Sequence, residues 1–298
     1  ETMDTHSHLL DKSLINKTET SGSIRFYFLE SIRQYANEIL DPDDKVHNAH
    51  FNYFMKISDQ SLMLSDSMDQ KQWAKLIDTE TGNLRSAINR ALDSDPENAC
   101  IIVNNMINYW DIKAYFLEGL LTCKKVYNLN LENVSEINKA KINYSLGLMY
   151  NNVGNIPDAE KFIKDALIIF RKIDDKLGIS ECLNSLGVII SISPSRMKEA
   201  KEYYEEALTI VKDLNLKRNT ANLLYNMSYM AIAENDTDLA LEYRLESLAI
   251  YRELKDFSQL SRTLASLSVF EQRRYNFDKA IFYNEESLAI AQNSMTNI

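Results

Sequence analysis

The chain has 298 residues, 45% hydrophobic and 26% charged, with a formal net charge of −10 at pH 7. That acidity, without any Lys/Arg-rich run, excludes a general nucleic-acid surface, which needs clustered cations to displace phosphate counterions. Seven Gly and four Pro leave little material for the many turns of a β protein, so an all-α chain with an ample apolar core is expected.

From the N-terminus, Leu9-Leu10-Asp11-Lys12-Ser13-Leu14-Ile15 runs into a polar, Gly-containing stretch, Asn16 to Ser23, and then into Ile24-Arg25-Phe26-Tyr27-Phe28. This pattern predicts two short strands with a turn between them. Next, Leu29, Ile32, Tyr35-Ala36 and Ile39-Leu40 share one helical face, and Asp41-Pro42 stops that helix. Residues 1 to 50 carry nine acids against five bases, so no DNA-facing helix is expected here. The block resembles the end of the winged-helix module of STAND-class (NB-ARC/AP-ATPase-like) signalling NTPases. Three later stretches extend the resemblance: His50-Phe51-Asn52-Tyr53-Phe54, Trp73-Ala74-Lys75-Leu76, and Glu80 to Ile88 with its Asn83-Leu84-Arg85. It implies a packing and switching module joined in cis to an upstream nucleotide-binding domain. No Gly-rich phosphate loop followed by Lys and Ser/Thr is present, so the chain is not itself the ATPase.

Ala99 to Trp110 and Tyr115 to Leu129 then read as a helical hairpin, a degenerate repeat in which Gly119 lies 40 residues before Ala159. Trp110, Tyr115 and Phe116 are expected to seal the junction between the front block and the C-terminal half.

Residues 136 to 298 repeat at a period of about 40. Gly147, Gly187, Ser228 and Ser268 recur at intervals of 40, 41 and 40, preceded by Leu146, Leu186, Met227 and Leu267. A second ladder, Ala159, Ala200, Ala240 and Ala280, is followed seven residues on by Ala166, Ala207, Ser247 and Ser287. Small residues at fixed points let helices approach closely, so each unit is two packed helices. The one extra residue falls at Ser193-Pro194-Ser195, a hairpin turn. Phe162, Tyr203, Tyr243 and Tyr283 recur three residues after each Ala and are expected in the inter-repeat core, whereas Glu205-Glu206 and Glu285-Glu286 read as solvated faces.

The Leu-Gly and paired-Ala spacing resembles the tetratricopeptide family, with helices longer than usual by nearly a turn, Ser replacing Gly in the last two units and no Trp opening helix A. The resemblance implies a right-handed α-solenoid whose A helices line a concave groove, where partners bind at positions three before, one after and four after the Gly. Carried onto this chain, these positions are Tyr144, Leu148 and Asn151; Asn184, Val188 and Ser191; Tyr225, Tyr229 and Ile232; and Ala265, Val269 and Gln272. Of these, Tyr144, Asn151, Asn184, Tyr225, Tyr229 and Gln272, with the neighbouring groove candidates Lys141, Asn222, Arg262 and Arg273, are the expected binding set. Asn and Tyr suit a peptide backbone, and Arg and Lys a carboxylate or phosphate. The repeated Lys/Asn pattern of arrays that clamp a C-terminal carboxylate is missing. Tyr225 and Tyr229 equally suit packing inside the superhelix.

Cys100, Cys123 and Cys182 lie in apolar helical patterns without CxxC spacing and read as core thiols. The pairs His6/His8 and His47/His50 lack a third ligand at metal-site spacing, and no nucleophile, acid and base set stands out. No membrane span or signal peptide is expected, since stretches such as Asn219 to Ala233 are shorter than the roughly 18 to 20 apolar residues that cross a bilayer. The expected organisation is residues 1–42 as the end of a winged-helix-like module, 43–135 as a helical linker with a degenerate repeat, and 136–298 as four repeats. The expected function is a cytoplasmic, non-catalytic binding region without cofactor. It takes a protein, peptide or small effector and acts as the sensor part of a STAND-type signalling or transcription-regulatory ATPase. A standalone adaptor or peptide-pheromone receptor remains open.

Overall fold

The computed structural model describes residues 2–20, 23–39, 45–67 and 70–296, which divide by contacts into two compact units, Glu1–Tyr53 and Phe54–Ile298. In the first unit, helix α1 (Thr2–Asp11) precedes an antiparallel pair, β1 (Ile15–Thr20) and β2 (Ser23–Phe28), in register from Ile15 opposite Phe28 to Thr20 opposite Ser23. Helix α2 (Glu30–Ile39) follows, and α3 (Lys45–Ser67) begins in this unit. The hairpin expected from the sequence is present, but its first strand starts later: Leu9, Leu10 and Asp11 close a helix instead. Ser13 takes φ of 56°, and the Leu14 N–H donates back to the Leu9 carbonyl at 3.0 Å, a left-handed helix cap that the apolar run does not reveal. His6 stacks on Phe26 with ring centroids 4.7 Å apart, tying α1 to β2. The helix stop expected at Asp41-Pro42, and with it the boundary after residue 42, lies outside the described residues.

The second unit is helical. Helix α4 (Gln70–Ser94) leads into hairpins α5 (Pro96–Ile112) with α6 (Phe116–Tyr127), α7 (Glu136–Asn152) with α8 (Ile156–Lys172), and α9 (Lys176–Ile190) with α10 (Met197–Asp213). Hairpins α11 (Lys217–Ala233) with α12 (Thr237–Leu254) and α13 (Phe257–Arg273) with α14 (Phe277–Thr296) complete it. Each helix packs on its hairpin partner and on the next hairpin, which is the nearest-neighbour arrangement of an α-solenoid.

The small-residue ladders lie where helices meet. Ala159, Ala166, Ala200, Ala207, Ala240 and Ser247 are fully buried. A Cβ on Gly147 would come within 2.3 Å of the Ile163 side chain, and one on Gly187 within 2.6 Å of the Tyr204 ring. Ile163, Tyr204 and Arg244 each stand four residues after the first Ala of helix B, so in the first three regular units one position of helix B faces the small position of helix A. The aromatic ladder is less uniform than its register suggests: Phe162 is buried, while Tyr203, Tyr243 and Tyr283 are half-buried. Of the three aromatics expected at the junction, Trp110 is buried against Gly119 within the α5–α6 hairpin, Phe116 is half-buried, and Tyr115 is exposed and meets Tyr109 edge-on at 6.0 Å.

Turn chemistry recurs with the repeat. Ala114, Gly154, Asp174, Asn215, Asn235, Lys255 and Tyr275 all take positive φ just after a helix ends. In four of these turns the following residue, Asn155, Asp175, Asp236 or Asp256, accepts an N–H three residues on and starts the next helix. The turn with the extra residue differs, closing through a 3-10 segment, Pro194–Arg196. Glu206 and Glu286, expected to be merely solvated, instead accept from Arg171 and Arg252 of the preceding hairpin at 2.6–2.8 Å. Such exposed pairs favour the stacking register but contribute little energy.

Candidate functional site

Helices α7, α9 and α11 present one face on which residues 40 apart become neighbours. Between them lies a recess of about 190 Å³ lined by Tyr144, Ser180, Glu181, Asn184, Asn219 and Asn222, with Val211 and Leu223 as its apolar part. Three of the residues chosen from the sequence, Tyr144, Asn184 and Asn222, meet here. Their side chains are held. Tyr144 Oη shares a hydrogen bond with Ser185 Oγ at 3.0 Å, and burial pushes its phenol pKa well up, so it stays a neutral donor and acceptor. Asn184 Oδ1 accepts from Asn226 Nδ2 at 2.9 Å, and Asn222 Oδ1 accepts from the Tyr251 hydroxyl. Both amides thus anchor by their carbonyl ends, which leaves their NH2 groups as donors toward a ligand. Tyr251 is itself buried, its pKa pushed up to about 12 by desolvation.

A second cluster lies further along, where α11 and α13 are neighbours. Tyr225 is buried, Tyr229 is 49% exposed, and their hydroxyls share a hydrogen bond at 2.8 Å. The Arg262 guanidinium lies over the Tyr225 ring at 4.7 Å. Both tyrosines therefore pack and line the face at once, Tyr225 mainly the former. Of the remaining candidates, Lys141, Gln272 and Arg273 are exposed and Asn151 is half-buried. None of these four lines the recess.

Sequence reasoning missed Ser180, Glu181 and Asn219, which stand earlier on α9 and α11 than the positions counted from the Gly. It also missed Arg244 on helix α12. The signal for Arg244 was available: an Arg at the helix B register occupied by Ile163 and Tyr204, opposite the first Ser that replaces Gly. Arg244 is 3% exposed, its Nε donates to Ser228 Oγ at 3.1 Å, and its guanidinium lies 5.1 Å from the Tyr229 ring and 5.0 Å from the Phe270 ring.

The three cysteines are free and buried, and desolvation raises their thiol pKa values, that of Cys100 to about 12, so they stay protonated and inert. Among the described residues no group of three or more His, Cys, Asp or Glu is arranged to hold a metal ion, and no helix is long and apolar enough to cross a membrane.

Residues 138–213 match the family model of the tetratricopeptide repeat. Proteins of Mycobacterium bovis and Mycobacterium tuberculosis described as HTH-type transcriptional regulators are 24% identical over 237 residues, covering 75% of this chain and 26% of theirs. The chain therefore spans about a quarter of the length of the curated relatives it matches. A Rap protein complexed with competence and sporulation factor is similar in structure, with a TM-score of 0.69 and 18% identity over 89% of this chain and 72% of that one. A signal-transduction ATPase with numerous domains from Pyrococcus horikoshii, which has a tetratricopeptide repeat sensor, gives a TM-score of 0.57 and 15% identity over 98% of this chain and 46% of that one. At these identities the structural likeness concerns the fold, a tetratricopeptide-type α-solenoid.

Proposed function

We propose that this chain is the ligand-binding, non-catalytic sensor region of a STAND-type signalling or transcription-regulatory ATPase of the cytoplasm. The observation that carries the binding half of this reading is the meeting of Tyr144, Asn184 and Asn222 in one polar recess, where both amide oxygens are already engaged and the NH2 groups remain as donors. A peptide main chain alternates acceptors and donors at the spacing such amides serve, so a peptide or a peptide-like loop of a protein fits best. No cofactor is required. The switch half draws its support from the front block: the hairpin-and-helix pattern at residues 9–40 and the motifs at 50–54, 73–76 and 80–88. The likeness that extends over 98% of the chain to a STAND protein with a tetratricopeptide sensor agrees with it. In this reading residues 1–42 end a winged-helix-like module, 43–135 link it to the array, and ligand binding in residues 136–298 biases an upstream nucleotide domain. Coupling requires that the ligand prefer one of two arrangements of that assembly.

The second reading, a standalone adaptor or peptide-pheromone receptor, is favoured by the higher TM-score of the Rap structure. The coding sequence upstream of Glu1 separates the two. A phosphate loop followed by an acidic, metal-binding strand is expected for the sensor; a start codon within a few residues of Glu1 overturns it. For binding, a pull-down compares the unaltered chain with Tyr225→Ala and Arg262→Ala, and unchanged capture by both variants rejects those two positions.

A further inference from the structure

Arg244 is a buried cation with no anion. Its register in helix B is that of Ile163 and Tyr204, which fill the space beside Gly147 and Gly187 with apolar atoms, yet here a guanidinium occupies the space. Guanidinium stays charged at any ordinary pH, and burying a charge without a countercharge is costly. It donates two hydrogen bonds, from Nε to Ser228 Oγ at 3.1 Å and from Nη1 to the Ser266 carbonyl at 3.2 Å, and two aromatic rings flank it. Among the described residues no carboxylate lies within ion-pair distance of it.

The same holds for Arg262 and Arg273 on α13. Elsewhere in the array arginines reach an acid: Arg171 to Glu206, Arg196 to Glu160, Arg252 to Glu286. In a chain of net charge −10, Arg244 and Arg262 against one tyrosine pair, with Arg273 near enough to act on Arg244, make a local excess of positive charge without such a partner. The nearness of Arg273 is felt at Arg244, whose pKa is lowered first by desolvation and also by that like charge. Arg262 is exposed and lies over Tyr225, an arrangement in which the edge of a planar guanidinium stays open to a two-oxygen acceptor. The hydroxyls of Tyr225 and Tyr229 lie beside it and can add a donor.

We propose that the face between α11 and α13 binds a carboxylate of a peptide ligand, with Arg262 and Tyr229 touching the carboxylate and the buried Arg244 supplying positive potential behind them. This rests on the peptide-binding reading and names the chemistry of one ligand position. The geometry ties the two regions together. Asn222 of the recess and Tyr225 of the cluster are three residues apart on α11, about one helical turn or 5 Å. An extended peptide advances about 3.3 Å per residue, so a ligand with its main chain at Asn222 reaches Tyr225 within one or two residues. Phosphate fits less well, because it brings more than one charge and three acceptor oxygens to a place with a single exposed guanidinium fork.

The test uses the whole chain, labelled with nitrogen-15, and follows the Nε–Hε signals of its arginines during titration. The probes are acetyl-Gly-Glu-Gly-Glu-Gly-amide, the same peptide with Gln for Glu as the amide, that Gln peptide as the free acid, and inorganic phosphate. Saturable movement of the Arg244 and Arg262 signals is expected with a carboxylate-bearing peptide, at least tenfold weaker with the Gln amide. Comparing the Glu amide with the Gln free acid tells a side-chain carboxylate from a terminal one, and either supports the proposal. In Arg262→Gln, an exposed change that leaves the core intact, the response should fall at least tenfold with the melting temperature retained. Equal responses to the Glu and Gln amides with none to the free acid, no response at all, or tighter saturation by phosphate than by any peptide overturns the proposal. The upstream coding sequence is untouched by these outcomes, so the sensor reading stands or falls separately.

Discussion

The Glu160 carboxylate receives Nη1 and Nη2 of Arg196 at 2.6 and 2.7 Å, from across the one turn at which the 40-residue spacing breaks. Arg196 ends the 3-10 segment that absorbs the extra residue and also holds Glu199 through Nε at 2.9 Å. An insertion in a repeat costs order at the turn, and this fork returns it by pinning the turn to the preceding hairpin.

Arg196, with Lys164 assisting, lowers the Glu160 pKa from 4.5 to about 2. A depressed carboxylate stabilises the fold fully above its unfolded value near 4.5, and that contribution is lost as pH falls through about 2. Glu160→Gln should therefore be less stable than the parent by about 1 kcal/mol near neutrality, after allowance for partial solvent screening. The difference should shrink on acidification and vanish near pH 2. Denaturant titrations of both proteins across that range measure it; a difference that does not change with pH would assign the effect to packing alone.

Glycines with opposite surroundings should respond with opposite sign. Gly187 faces the buried Tyr204 ring at 2.6 Å from an added Cβ, whereas nothing lies within 4 Å of one on Gly82 in the middle of α4. Alanine gains about 1 kcal/mol of helix propensity at either place. At Gly187 overpacking of roughly 1–3 kcal/mol outweighs it. Gly82→Ala should raise the melting temperature by a few degrees and Gly187→Ala should lower it, with scanning calorimetry as the measurement.

Lys255 is exposed and takes φ of 54°, at the register between hairpins where Asp174 and Asn215 take φ of 57° and 55°. A residue with a Cβ is strained in that region by about 1 kcal/mol, and the strain is relieved by glycine at the cost of a more flexible unfolded chain. Lys255→Gly should be neutral to stabilising by about 0.5 kcal/mol, whereas Lys255→Val should destabilise by more than about 1 kcal/mol. Chemical denaturation of the two variants orders them; Val matching Gly would show that the turn adjusts its backbone.

How much of this was legible depends on the physical quantity each pattern encodes. The ladders at Gly147/Gly187 and Ala159/Ala200/Ala240 carry helix–helix distances directly, so hairpin number, helix length and the odd turn at Ser193-Pro194-Ser195 could be read from spacing. Tyr144, Asn184 and Asn222 could be reached because they share a face with those small residues. Leu9 to Ile15 was ambiguous because a short apolar run fits a helix end and a strand alike, and the deciding element is a φ at Ser13. Ser180, Glu181 and Asn219 join the recess from a turn earlier on their helices, which depends on how far successive hairpins rotate. Arg244 was overlooked for a different reason: helix B was read only through its Ala and aromatic positions, and the one position that faces helix A was not compared between repeats.

That position allows a test of how the third hairpin differs from the first two. In the second hairpin Gly187 meets Tyr204, and in the third Ser228 meets Arg244 through a 3.1 Å hydrogen bond. Arg244→Tyr alone places a ring against the Ser228 side chain, which occupies the space that Gly187 leaves empty, so it should destabilise by about 1–3 kcal/mol. Ser228→Gly alone removes the acceptor from a buried Nε and should also cost about 1–3 kcal/mol. Together they recreate the Gly187/Tyr204 contact and remove an uncompensated buried charge, a change that is neutral to stabilising by about 1–4 kcal/mol in comparable replacements. The double variant should therefore be more stable than either single one, with a coupling of about 0.5–3 kcal/mol or more in a double-mutant cycle by urea unfolding. Additive effects would mean that Ser228 and Arg244 are not a unit. If the cycle couples and the double variant also loses its response to the carboxylate peptides, the charge at Arg244 is held there at the expense of stability.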